Sequence, residues 1–421
     1  MLKRVAGYAA VAAVLLPLAA QAAVPSARDV LKTYADIASA TFQDSLTAAK
    51  ELKKAVDALI ANPTEETLAK ARQAWLNARV PYMQTEAFRF GNPIVDDWEG
   101  KVNAWPLDEG LIDYVDESYG AGEDNPFAKA NVIANTTLRA GGKTINASKI
   151  DKALLADKLH ETGGVEANVA TGYHAIEFLL WGQDLNGTGP GAGQRKASDF
   201  AKDGCTNGHC DRRARYLKVA TELLVSDLQE MVEAWGAKGK ARASIVKANE
   251  KEGIARMLTG IGSLSYGELA GERMKLGLML HDPGEEHDCF SDNTHNSHYY
   301  DQVGMMNVYT GQYRRLDGST VSGPSLSNYV AAKAPEADAK VRASMEETLR
   351  AFQVMKDTTD SGKMAYDQML GAGNEAGNQI IATAVDRLVA QKQALEGVVS
   401  ALDVKIDIVG SDSLDTPSAV Q

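Results

Sequence analysis

The chain has 421 residues, of which 44% are hydrophobic and 24% charged, so it is long enough for two or three domains with substantial cores. Its formal net charge of -12 argues against a nucleic-acid-binding protein, which needs a basic surface. Aromatic residues make up only 6% of the chain, while Ala, Leu, Lys and Glu are abundant, and this balance predicts a soluble protein built mainly from helices.

The first residues of the chain predict export. The basic pair at residues 3–4 precedes an apolar run over residues 5–20, and the tripeptide AQA at residues 20–22 fits a signal-peptidase site. We therefore expect a secretory signal peptide over residues 1–22, cleaved after Ala22, and an exported or periplasmic mature protein. No later segment has the roughly 18 uninterrupted apolar residues of a membrane span, so the mature chain is not expected to cross the membrane.

Apolar residues at helical spacing predict an N-terminal helical domain over residues 26–236. The expected helices lie at about residues 26–60, 64–90, 148–160, 163–181 and 212–235. A kink is expected at Pro81, because proline lacks an amide hydrogen and its ring clashes with the preceding turn. Residues 94–125 are irregular and predict loops and short helices. The Gly-rich residues 182–211 predict a long surface loop of the kind that often covers functional sites.

A small polar segment from Gly236 to Lys240 predicts a domain boundary. A C-terminal helical domain is expected over residues 240–403, followed by a loose polar tail over residues 404–421. The expected helices of this second domain lie at about residues 241–280, 295–312, 325–357 and 361–403.

The two blocks share a weak internal repeat. The hexapeptide EAFRFG at residues 86–91 parallels ERMKLG at residues 272–277, and the Gly-Gln pairs at residues 182–183 and 311–312 can be aligned. The sequence therefore predicts an all-α protein of two helical-bundle domains related by internal duplication, with the Gly-rich loop as an insertion. Chance similarity is the alternative origin of the repeat.

The stretch ATGYHAIEFLLWGQD at residues 170–184 holds an unusual polar pair. His174 and Glu177 are three residues apart, so they share one face of a helix, and their apolar neighbours are expected to bury both side chains. A buried carboxylate needs a partner, because an unpaired charge in apolar surroundings is costly. That partner is either a metal ion or an Arg or Lys from another helix.

A second polar cluster, residues 281–301, contains four of the seven histidines of the chain. Its density of histidine and carboxylate is typical of metal binding, and a solvated loop rich in turn and capping residues is the alternative. Asn293 and Ser297 fit helix caps. Asp292 and His295 are therefore the candidates from this cluster for a contribution to the site.

The chain has three cysteines. Cys205 and Cys210 lie close together in the stretch CTNGHC, which predicts a local disulfide in an oxidising compartment. Pairing of either residue with Cys289 is an alternative. A zinc site that includes His209 is another, although the usual C-x2-C spacing is absent.

The hexapeptide GYHAIE at residues 172–177 matches the GxHxxE motif of the imelysin family, also described as imelysin-like or iron-regulated protein A type. The residues that support this resemblance are Trp75, Arg79, EAFRFG at residues 86–91, Trp181-Gly182 and HDCFSDNTH at residues 287–295. The resemblance covers about residues 26–403. It implies two helical bundles with a pocket between them that carries His174 and Glu177, export from the cell and a link to bacterial iron acquisition. The family is also classed among metallopeptidases.

Three functions follow as hypotheses. The first is an exported metal-binding protein of iron or haem acquisition, which takes iron or zinc, or a small iron-containing ligand, and has a membrane uptake system as its partner. The candidate metal ligands are His174, Glu177 and Glu86, and the candidate contributors are Arg79, Asp292 and His295. The second is a zinc metallopeptidase, but the chain lacks H-E-x-x-H and a clear general base, so its status as an enzyme stays open. The third is a helical interaction protein without a metal.

Overall fold

A computed structural model describes residues 24–120 and 125–420. The predicted signal peptide lies outside the described residues. Most of the described chain is helical, which confirms the all-α prediction. Two short antiparallel hairpins, which the sequence did not predict, add β1 (Thr137–Ala140) with β2 (Lys143–Asn146) and β3 (Gln312–Arg314) with β4 (Thr320–Ser322).

The first half of the chain folds around one long helix. Its helices are α1 (Ala27–Ala61), α2 (Glu65–Met83), α3 (Pro93–Asn103), α4 (Glu109–Ile112), α5 (Lys152–Leu154), α6 (Gly172–Trp181) and α7 (Cys210–Trp235). Helices α2 and α7 both pack along α1, and α6 packs against α2, α3 and α7. Phe42 of α1 stacks on Trp235 of α7, with ring centroids 6.5 Å apart, and both side chains are buried. The amphipathic faces predicted from the sequence thus meet in one apolar core.

The second half forms another group of packed helices. Its helices are α8 (Lys240–Val246), α9 (Glu250–Ser263), α10 (Leu276–Leu280), α11 (Thr294–Thr310), α12 (Leu326–Ala331), α13 (Pro335–Asp360), α14 (Tyr366–Leu370), α15 (Glu375–Leu402) and α16 (Asp412–Asp415). A π-helical segment, Leu264–Lys275, joins α9 to α10. Helix α13 packs against α11 and α15, whereas α8 packs on α1 and α7 of the first half. The described helices include none with the length and apolar character needed to cross a membrane.

Helix α6 is shorter than predicted because its approach is not helical. The sequence predicted a helix from residue 163, but Gly163 and Gly164 have φ values of 81° and 77°, in the left-handed region. Gly172 also has a positive φ, of 80°, and the preceding Thr171 donates a hydrogen bond from its hydroxyl to the carbonyl of Lys101. The chain therefore crosses α3 before α6 begins, and this crossing sets where the first residues of α6 lie.

The end of α2 also differs from the prediction, whereas α3 is one of the short helices expected after it. Helix α2 ends at Met83, two residues beyond Pro81, and is followed by a 3-10 turn, Glu86–Phe88, instead of continuing to about residue 90. The hydroxyl of Thr85 donates a hydrogen bond to the carbonyl of Tyr82 and so helps to end the helix. Helix α3 forms within the stretch that lacks periodicity in the sequence, with Pro93 at its first position, where the missing amide hydrogen costs nothing.

The Gly-rich loop between α6 and α7 is anchored at its centre. Arg195 is buried and its guanidinium lies 2.8 Å from Asp113 and 3.1 Å from Asp199. Near its end the loop is closed by a disulfide between Cys205 and Cys210. The composition predicted a surface loop throughout. One buried arginine hardly changes the composition of a Gly-rich segment, so the anchor at Arg195 could not be recognised from it.

The C-terminal segment after α15 packs against the π-helical segment. The hydroxyl of Ser413 donates to the carbonyl of Gly271 at 3.0 Å, and that of Tyr266 donates to Asp415 at 2.7 Å. The sequence predicted a loose tail here because the residues are polar. These polar side chains instead find hydrogen-bond partners on a neighbouring helix.

A buried salt bridge joins the two halves of the chain. The Nη2 atom of Arg79 on α2 lies 2.7 Å from Oδ1 of Asp288, which precedes α11, and neither side chain is more than 1% exposed. The guanidinium also lies 5.1 to 5.7 Å from the ring centroids of Trp75, Tyr82 and Tyr173. Aromatic faces attract a cation, so these rings favour the charged guanidinium in an otherwise apolar setting.

We expect replacement of Arg79 by Met to lower the free energy of unfolding by about 3–5 kcal/mol, because Asp288 would stay buried without its counter-ion. The matched control is Lys70→Met, which removes an exposed salt bridge to Glu66 on the same helix and is expected to change stability little. Urea denaturation followed by circular dichroism measures both. Equal losses in the two variants would contradict a special role for the buried pair.

A second prediction concerns the start of α6. A Cβ atom at Gly172 would lie 2.5 Å from the carbonyl oxygen of Val102, so Gly172→Ala adds a clash with backbone to the cost of a positive φ. Gly164→Ala is the control, because it has a similar φ but open space around the added atom. We expect the control to cost about 1–2 kcal/mol of unfolding free energy and Gly172→Ala distinctly more. Equal losses would show that the contact with Val102 is not limiting.

Candidate metal centre

Helix α6 carries His174 and Glu177 into the contact between the two halves. Both side chains are buried, with 1% and 0% exposed, and Nδ1 of His174 lies 3.1 Å from Oε2 of Glu177. The other carboxylate oxygen of Glu177 accepts hydrogen bonds from the amide of Ser291 at 3.0 Å and its hydroxyl at 2.7 Å. The pair on α6 is thus held against the segment that precedes α11 in the second half.

That segment brings two further potential ligands to His174. The ring centroid of His287 lies 4.7 Å from that of His174, and Oδ1 of Asp288 lies 3.4 Å from Nδ1 of His287 and 4.0 Å from Nδ1 of His174. These three residues, all buried, each offer one ligand atom within 4.8 Å of the others. Two imidazoles and one carboxylate from both halves of the chain therefore converge on one point.

Asp288 is held firmly by its neighbours. Besides the salt bridge to Arg79, it accepts hydrogen bonds from the side-chain amide of Asn293, at 2.8 Å, and from the hydroxyl of Ser297. Arg79 in turn donates to the side-chain oxygen of Asn103 at 2.6 Å. Asn293 and Ser297, which the sequence suggested as helix caps, thus also fix the orientation of a candidate ligand.

Burial controls the charge state of the centre. It lowers the pKa of His174 to about 3, helped by the nearby guanidinium of Arg79, and it raises the pKa of Glu177, helped by the negative charge of Asp288. For Asp288, burial acts to raise the pKa, but Arg79, His174 and the hydrogen bonds from Ser297 and Asn293 together bring the pKa down to about 2. The imidazole of His174 is therefore neutral, and its Nε2 atom has no hydrogen-bond partner among the described residues.

A third histidine, His298, lies beside the centre. It is fully buried, its ring is 6.3 Å from that of His287, and neither of its nitrogens has a hydrogen-bond partner in the described part of the chain. The sequence did not single out His287, Asp288 or His298 individually. Its signals were the histidine-rich cluster at residues 281–301 and the family-like segment at residues 287–295, and neither ranked the individual members.

Glu86, a candidate ligand from the sequence, lies in a different network. Its Oε2 atom is 2.8 Å from Arg273, and its Oε1 atom accepts a hydrogen bond from the hydroxyl of Tyr82 at 3.1 Å. Arg273 also pairs with Glu268 and Asp301. Because α2 ends at Met83, the turn that carries Glu86 faces the π-helical segment and not α6.

The two candidates from the histidine-rich cluster also lie elsewhere. Asp292 adopts a left-handed φ of 55°, and its carboxylate groups with Asp184 and Asp367. The Nε2 atom of His295 lies 3.2 Å from Asp360, which is half exposed. The structure thus brings Arg79 to the His174–Glu177 pair, but not Glu86, Asp292 or His295.

A separate cavity of about 690 Å³ lies beside the Gly-rich loop. Its lining includes Tyr114, Trp181, Gln183, Asn186 and Arg195. It borders the end of α6 but is not lined by the residues that converge on His174. The centre itself is closed to solvent in this conformation.

Similar proteins of known structure share this architecture. A structure assigned as an iron-regulated protein A precursor from Parabacteroides distasonis matches 91% of this chain and 97% of its own, with a TM-score of 0.65 and 22% sequence identity. An imelysin-like protein from Psychrobacter arcticum 273-4 matches 92% of this chain and 98% of its own, with a TM-score of 0.56 and 13% identity. At these identities the comparison establishes the fold.

The sequence comparisons give the family. Iron-regulated protein A of Synechococcus elongatus is 24% identical over 280 residues, which cover 64% of this chain and 60% of the relative, so the chain spans about three fifths of the length of that curated relative. The family model described as imelysin (peptidase M75) matches residues 38–395, well over half of the chain. By this match and by the fold that it shares with imelysin-like structures, the chain belongs to the imelysin family.

Proposed function

We propose that this imelysin-family protein is exported and binds a transition-metal ion, iron or zinc, through His174, His287 and Asp288, and that it serves bacterial iron acquisition. The convergence of these three side chains within 4.8 Å carries the proposal. A relative named iron-regulated protein A supports the link to iron. The predicted signal peptide is the basis for export.

The residues present fit such an ion. Two imidazoles with one carboxylate are the donor set of many non-haem Fe(II) sites, and Zn²⁺ accepts the same ligands. The unpartnered Nε2 atom of His174 is a buried lone pair that an ion would satisfy. Haem fits less well than an ion, because the side chains of the centre contact one another and leave no slot for a porphyrin.

Glu177 and Arg79 have supporting roles in this proposal. A carboxylate that accepts a hydrogen bond from Nδ1 of a histidine fixes the proton there and leaves Nε2 as the nitrogen available to a metal. Oε2 of Glu177 lies 3.1 Å from Nδ1 of His174, so the proposal assigns the Nδ1-protonated tautomer to His174, and the other oxygen of Glu177 is held by Ser291. Arg79 keeps Asp288 ionised and oriented.

We expect the purified protein, without a histidine tag, to bind one iron or zinc ion per chain, and His174→Ala and His287→Ala to lose it. Glu177→Gln is expected to weaken binding by about 10- to 100-fold, because it only supports the ligand. Elemental analysis after exposure to each metal and removal of excess ion gives the stoichiometry.

His295→Ala is the matched control, because it removes a histidine of the same segment that pairs with Asp360 and not with the centre. It is expected to keep the full metal content. Loss of metal in His295→Ala, or equal metal content in the wild type and His174→Ala, would contradict the proposal. Equal content would favour the alternative in which His174 and Glu177 form a structural hydrogen bond.

A peptidase function makes a different prediction, and the burial of the centre disfavours it. A scissile peptide bond must reach the metal, yet His174, Glu177, His287 and Asp288 are each at most 1% exposed. We therefore expect no chelator-sensitive cleavage of an unfolded test protein by the metal-loaded chain, measured by gel electrophoresis. Cleavage that EDTA blocks and that His174→Ala abolishes would establish the peptidase alternative.

A further inference from the structure

A second cluster of carboxylates lies close to the metal centre in sequence but outside it in space. Asp184 follows α6 in the Gly-rich loop, Asp292 follows Asp288 in the second half, and Asp367 belongs to α14. Each offers one carboxylate oxygen within 4.8 Å of the others. Three separate segments of the chain therefore bring negative charge to one place.

The cluster is not a solvated acidic surface. Asp367 is fully buried, and neither of its carboxylate oxygens has a hydrogen-bond partner among the described residues. Oδ1 of Asp292 also has none. Glu286, which is only 1% exposed, also has an unpartnered Oε1 among the described residues. Burying such groups without a partner is costly.

Arginine does not neutralise this cluster. Elsewhere in the core, buried carboxylates such as Asp113 and Asp288 lie beside guanidinium groups. Within residues 24–120 and 125–420, no Lys, Arg or His nitrogen lies within 4 Å of the carboxylates of Asp184, Asp292 or Asp367. Burial raises the pKa of Asp292 and of Asp367 to about 7, so ionising either carboxyl group is costly in this setting. Among the described residues no side-chain cation balances the ionised cluster, so either protons or a bound cation neutralise it.

We propose that Asp184, Asp292 and Asp367 form a second cation site that takes a hard divalent cation such as Ca²⁺. Oxygen-only ligands select hard cations over iron or zinc. Ca²⁺ binds oxygens at about 2.3–2.6 Å, so two ligands on opposite sides of the ion lie about 4.6–5.2 Å apart. One oxygen from each of the three carboxylates lies within 4.8 Å of the others, so a single Ca²⁺ can contact all three.

Such an ion would connect the segments that build the metal centre. Asp184 follows the helix that carries His174, and Asp292 lies in the segment that carries Asp288. A cation shared by these two segments and α14 would hold the two halves of the centre together. The ion is proposed to be structural, and its binding does not depend on the ion proposed at His174.

The test is a titration of the purified, chelator-treated full chain with CaCl₂ by isothermal calorimetry. We expect one saturable Ca²⁺ site per chain and a rise in the melting temperature with Ca²⁺. Asp367→Asn and Asp184→Asn are each expected to weaken binding by about tenfold or more, because each removes one charged ligand. The second variant lies in a partly exposed loop position, so it carries the test if Asp367→Asn does not fold.

Two control variants distinguish a site at the acidic cluster from Ca²⁺ binding elsewhere on the chain. Glu285→Gln removes a neighbouring carboxylate outside the cluster and is expected to leave Ca²⁺ binding unchanged, and so is His174→Ala, which is expected to lose only iron or zinc. Absence of saturable Ca²⁺ binding to the wild type, or unchanged binding in both Asp variants, would overturn the proposal. Loss of Ca²⁺ in His174→Ala with retention in Asp367→Asn would place the ion at the histidine centre and would also overturn it.

Discussion

The buried salt bridge between Arg79 and Asp288 is the interaction on which the candidate metal centre depends. It joins the two halves of the chain, and both charges are removed from water. Desolvating them is costly, and hydrogen bonds to neighbouring polar side chains and the surrounding aromatic rings offset the cost. A second buried pair between the halves, Glu86 with Arg273, adds to this frame. Arginine–carboxylate pairs are strongly directional. The two pairs therefore restrict the position of His287 relative to His174 more than apolar packing alone would.

The buried carboxylates of this chain fall into two classes with different consequences. Those with a guanidinium partner, such as Asp113 with Arg195, are neutralised within the protein and stabilise the fold. Those without one, above all Asp367, have no guanidinium among the described residues to balance their charge when they ionise. Carboxylates that lack a guanidinium partner are therefore the places where an external cation can bind. By this criterion the acidic cluster around Asp367 differs from the structural ion pairs of the core.

The sequence by itself determined the helical class, the long helices and the presence of His174 and Glu177 on one helical face. These features depend on local periodicity, because the residues that determine them are close together in the sequence. The early end of α2 at Met83 and the late start of α6 at Gly172 were not visible. A side-chain hydrogen bond of Thr85 helps to end the first helix, and the positive φ of Gly172 and its close approach to Val102 fix the start of the second.

Only the tertiary structure decided which distant side chains join the pair. Glu86 had the correct chemistry for a ligand but faces Arg273, while His287 and Asp288 reach His174 from a segment far along the chain. Sequence spacing carries no information about such contacts, because they depend on how two helical groups are held together. The internal duplication and the domain boundary near residue 236 stay predictions from the sequence. The positions of the candidate ligands follow from buried charge pairs that form only when the halves meet.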